Sequence, residues 1–220
     1  MNIFFNEWSD YKLFVSTFFP ESELNLRINL IKSSTESLFK CIYLTEIIID
    51  EFNGDLSDDE VEILLDGNRM IYRLLYILPS GEKYFVSSAI RGLSESLLRT
   101  LLLRESTQLS LQNLKGEQFR YLKDKVKKTS TYSNCKSIID KVISLFGQHS
   151  KIIHNKKKNS EHITYLEDYM YGFDSYTADQ LNSNIKMLAT ALIDVLVLNY
   201  QFDPDLISQY NKRVYKQIFE

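Results

Sequence analysis

Cysteine, glycine and proline are scarce in this 220-residue chain: it holds 2 Cys, 7 Gly and 3 Pro. Two thiols, Cys41 and Cys135, build no disulfide framework and have no CxxC spacing for zinc. So few Gly and Pro give too few reversals for a many-stranded β protein, which turns every ~8–12 residues. There is no uninterrupted run of 18 apolar residues, so no membrane span is expected. The first residues, Met1 to Trp8, lack the basic and long apolar regions of a signal peptide. The expectation is a cytoplasmic protein.

Chemical motifs are missing as well. No Gly-rich phosphate loop, HExxH, Gly-x-Ser-x-Gly elbow or Cys/His cluster with ligand spacing occurs. The sequence therefore points to no cofactor and no metal, and an enzyme built from it would work through histidine.

What is present is helical patterning. Hydrophobic residues make up 44% and charged residues 25%, a balance that can bury a core. Apolar side chains recur at helical spacing over 4–19, 21–52, 83–104 and 138–146, and again after Leu181 and Ile207. Ser57-Asp58-Asp59-Glu60 and Thr177-Ala178-Asp179-Gln180 read as capping boxes. Ser133 or Asn134 would cap the helix running to Phe146, and Asp203-Pro204 the last one. The expected fold is an all-α antiparallel bundle of about seven helices. Residues 1–80 would pack as N-terminal helices on a core formed by 81–220.

Charge is unevenly spread. The net charge is −3, but the stretch from Lys115 to Lys158 carries a local balance of +9, leaving −12 on the rest. Such a segment is a solvated helix face or a footprint for a polyanion. Two of the three histidines lie in it, in Phe146-Gly147-Gln148-His149-Ser150-Lys151-Ile152-Ile153-His154-Asn155-Lys156-Lys157-Lys158. Paired imidazoles beside cations suit metal-free RNA cleavage, in which one group takes a proton, another gives one, and cations hold the phosphate. The alternatives are structural. His149 continues the Ile138, Val142, Leu145 stripe, and His154 ends a helix where a positive charge meets the dipole favourably. The Tyr165, Tyr169, Tyr171, Phe173, Tyr176 cluster would pack over the bundle or stack on bases.

Upstream, Arg91 and Glu95 stand one turn apart in Ser88-Ala89-Ile90-Arg91-Gly92-Leu93-Ser94-Glu95. That helix, with a second one ending in Ser150-x-x-x-His154-Asn155, resembles the HEPN superfamily. The resemblance implies a small helical homodimer whose two motifs face each other. It also implies metal-independent ribonuclease activity in toxin–antitoxin or phage-defence settings, or a noncatalytic relative acting as a helical adaptor in such a complex with a protein partner. On this reading the catalytic set is His149, His154, Arg91, Glu95 and Ser150, and Lys151, Lys156, Lys157 and Lys158 bind RNA. The usual motif Arg is absent: His149 or Gln148 holds its place, and Arg91 would supply the positive fork from the neighbouring helix.

Overall fold

The computed structural model describes residues 3–106, 109–154 and 175–219, with the backbone alone at Glu23, His154 and 175–178. Every regular element among them is helical, so the chain is all-α. In order they are α1 (Ile3–Phe18), α2 (Glu23–Leu26), α3 (Lys32–Glu51), α4 (Asp58–Ile77), α5 (Lys83–Glu105), α6 (Leu111–Lys115), α7 (Phe119–Val126), α8 (Ser130–His154), α9 (Ser175–Asn199) and α10 (Gln209–Phe219). Short 3-10 turns cover Ile28–Ile31 and Leu78–Ser80.

Local chemistry sets the boundaries. The capping box at Ser57 forms as expected: Ser57 Oγ accepts from the Glu60 amide, and Glu60 accepts from the Ser57 amide. Thr177 does not open its helix, which starts at Ser175. Ser208, not Asp203, caps the last helix by accepting from the Asn211 amide, whereas Asp203 folds back on the Asp205 amide. Nor do Ser133 and Asn134 begin a helix. They lie within α8, just before a non-helical residue at Cys135 (φ −116°, ψ 24°). The cap signal there marks a kink.

Neighbour directions follow from which residues meet. The short connection from Glu51 to Asp58 keeps the end of α3 near the start of α4, and Asn68 donates to Ile42 O further along, so α3 and α4 are antiparallel. Gly92 faces Met70 and Arg104 reaches Glu60, so α4 and α5 are too. Thr131 on α8 donates to Asn199 at the far end of α9. By contrast, Cys41 meets Ala189 and Phe52 meets Tyr200, so α3 and α9 run the same way.

One buried cluster extends from Trp8 on α1 to Val195 on α9 and includes Leu38, Leu74, Leu93, Leu97, Ile139 and Ile185. Each such side chain contributes roughly 1.5–3 kcal/mol on burial. A second, smaller cluster joins Leu44, Ile48 and Leu64 to Leu196 and Tyr200. The stretch Asp179–Asn199 of α9, of mean hydropathy 1.4, is long and apolar enough to cross a membrane by length and composition. Polar residues break it up, so the uninterrupted-run criterion passed over it. In this fold its Ile185, Leu188, Ala189 and Val195 are buried in the core.

Candidate functional site at the α5/α8 pair

Helix α5 is fixed at its start. Pro79 opens the 3-10 turn, Gly81 takes a left-handed φ of 67°, and the buried Glu82 carboxylate accepts from the Tyr84 and Phe85 amides. This anchor aims Ser87 and then, one turn on, Arg91 at α8. Helix α8 lies antiparallel against them: Ser87 meets His149 and Arg91 meets Phe146.

His149 is not the exposed, cation-flanked group that its sequence context suggests. Its side chain is buried, with 5% exposure. Nδ1 lies 3.0 Å from Ser87 Oγ, and Nε2 has no hydrogen-bond partner among the described residues. Burial lowers the imidazole's pKa from its ordinary 6.5, so the ring is neutral at pH 7. A neutral buried imidazole can accept or relay a proton but is a poor acid. The ring lines a cavity of about 350 Å³ between the start of α5, the end of α8 and the first half of α9.

Arg91 and Glu95 open onto a different depression, of about 450 Å³, between α4 and α5. No residue lines both spaces. Glu95 sits between two cations, with one oxygen 3.7 Å from Arg91 and the other 3.2 Å from Arg99. The Arg91 guanidinium carbon lies 5.0 Å from the centre of the Phe146 ring, which in turn stacks on Phe119. Arg91 is thus held by two groups, Glu95 and Phe146, yet remains one-third exposed. Ser150 Oγ is buried without a partner among the described residues, and the bond expected from it to His154 involves an imidazole that lies outside them. Lys151 is exposed at the mouth of the His149 cavity. The imidazole of His154, together with Lys156, Lys157 and Lys158, lies outside the described residues.

Sequence reasoning missed Ser87. Its signal was faint: a serine on the inward stripe beside Val86 and Ile90, one turn before Arg91. It also missed Lys83, Gln180 and Asn184, which reach the same cavity from two helices. Among the described residues no group of three His, Cys, Asp or Glu side chains could hold a metal. No family model, curated protein or solved structure matches this chain.

Proposed function

We propose that the chain is an HEPN-like homodimer that binds and cleaves RNA without a metal ion, in a toxin or phage-defence setting. The observation that carries this reading is the packing of α5 on α8. It brings the Arg91–Glu95 helix alongside the helix that holds Ser150 and ends at His154. His154 from one subunit takes the proton of a 2′-hydroxyl, whose oxygen attacks phosphorus. His154 from the other gives a proton to the departing 5′-oxygen, leaving a cyclic phosphate. Arg91 neutralises the phosphorane, with Glu95 fixing its fork, and Lys151 and Lys156–Lys158 hold the flanking backbone. His149, buried on Ser87, is a positioning residue and not an acid.

The test is cleavage of bulk RNA and tRNA with chelator present. Wild-type protein is expected to cut, and His154→Ala to lose the cutting by ~10²-fold or more. A wild type that leaves both RNAs intact removes the enzymatic reading.

The second reading is a noncatalytic adaptor or regulatory subunit in a defence or toxin complex. It is favoured by the engagement of Arg91 with Glu95 and Phe146 and by the burial of His149. It predicts full biological activity in a His149→Ala, His154→Ala double variant, together with a protein partner that co-elutes in gel filtration.

A further inference from the structure

The cavity beside His149 is built differently from the Arg91 groove. Its deep side is apolar and buried, made by Val86 and Leu181, with Ile152 alongside. Its mouth carries two exposed lysines, Lys83 and Lys151, and the amides of Gln148 and Gln180. No carboxylate lines it among the described residues. At about 350 Å³ it sits at the small end of the ligand pockets of folded proteins, roughly 300–1,000 Å³.

The hydrogen bonding inside it is incomplete in a definite way. Among the described residues Ser87 Oγ has one partner, Nδ1 of His149. If Nδ1 carried the proton, the serine hydroxyl hydrogen and the Nε2 lone pair would both be stranded. With Ser87 donating to Nδ1, only the Nε2–H is left without a partner. Leaving a buried polar group unpaired is costly, so the second arrangement is favoured. The imidazole that lines the cavity thus carries one unsatisfied N–H donor, itself buried, in a low-dielectric setting.

We propose that this cavity binds a small amphiphilic monoanion, an alkyl or aryl carboxylate of about ten to fourteen non-hydrogen atoms. One carboxylate oxygen accepts from His149 Nε2–H. The ammonium groups of Lys83 and Lys151 close over the charge, and the hydrocarbon lies on Val86, Ile152 and Leu181. Among the described residues the site shares no lining residue with the Arg91 groove, but it uses His149 and Lys151, which the RNA reading also employs, so its binding is measured with no RNA present.

Titration calorimetry of the full chain with octanoate, 1-octanol and octylamine tests this. Octanoate is expected to bind at one site, at least ~10-fold more tightly than the alcohol, with no detectable binding of the amine. Lys83→Glu and Lys151→Glu change exposed side chains and should fold normally. Each is expected to weaken octanoate roughly five- to tenfold at low salt and less at high salt. Asn184→Trp, which fills the space from its partly exposed edge, is expected to abolish binding. The proposal is overturned if octanoate does not bind, if octanol binds as tightly, or if neither lysine reversal changes the affinity.

Discussion

His149 links sequence to stability through a proton. In the unfolded chain its imidazole titrates near 6.5, and in the fold burial lowers that value. Between the two values the unfolded state binds more protons, so stability falls as pH drops through 6.5 and is fully present above it. Wild type should therefore lose more melting temperature between pH 7.5 and pH 5.5 than His149→Phe does. Thermal scans at both pH values check this. Carboxylates such as Asp66, Glu51 and Glu105 are held below their ordinary values, so their contributions fade only at more acid pH and are shared by both proteins. Equal slopes would mean that the ring is protonated, or solvated, in the folded state.

At the scale of elements, α8 is capped from two sides: Thr129, the residue before it, accepts at Oγ1 from the Tyr132 amide. Glu105, the last residue of α5, accepts from the amides of Ser130 and Thr131 and from the Ser130 hydroxyl. Burial pushes this carboxylate's pKa up, but bonds from Thr131 and Ser130 outweigh it and hold the group ionised. A negative charge at the start of α8 also suits the dipole of its first turn, ahead of the kink at Cys135. Glu105→Ala is expected to cost about 1–2 kcal/mol in urea unfolding, and Glu105→Gln less, since the amide oxygen still accepts. The contrast with Ser57 shows what sequence can convey. The Ser57 box closes between residues three apart, so its chemistry is written locally. Thr129 on Tyr132 is equally local, whereas the Glu105 cap of α8 comes from 25 residues upstream and depends on how α5 lies, which no short window contains. The same holds at the site. Arg91 and Glu95, one turn apart, were legible as a pair. The Ser87–His149 bond, which spans 62 residues, was not. The apolar stripe through Val142 and Leu145 did forecast a packed place for His149, and that forecast competed on equal residues with the catalytic one. Only the tertiary position of α5 decides between them.

Across the whole molecule, the basic stretch that starts at Lys115 is partly neutralised by the acidic body. Lys115 binds both Glu62 and Asp66 on α4, at 2.6 and 3.0 Å, and Lys125 binds Glu117 at 2.8 Å. The nominal excess of positive charge therefore overstates what a polyanion would meet. Lys115 ties α6 to α4 and Lys125 ties α7 to the turn before it, while Lys151 faces solvent near the end of α8. If RNA is the ligand, affinity should depend on Lys151 and on Lys156, Lys157 and Lys158, and hardly on Lys115 or Lys125. The logarithm of the binding constant for a single-stranded RNA should fall linearly with the logarithm of salt concentration, by about 0.7 per phosphate contacted. Replacing Lys156, Lys157 and Lys158 by Gln should then flatten that slope by roughly 2, whereas Lys115→Gln should leave the slope unchanged and lower stability slightly, by less than about 1 kcal/mol, because an exposed ion pair contributes little. Filter binding across a salt series reads both. A slope that responds to Lys115 but not to the triple replacement would place the RNA on the α4–α6 side of the bundle and separate it from His154.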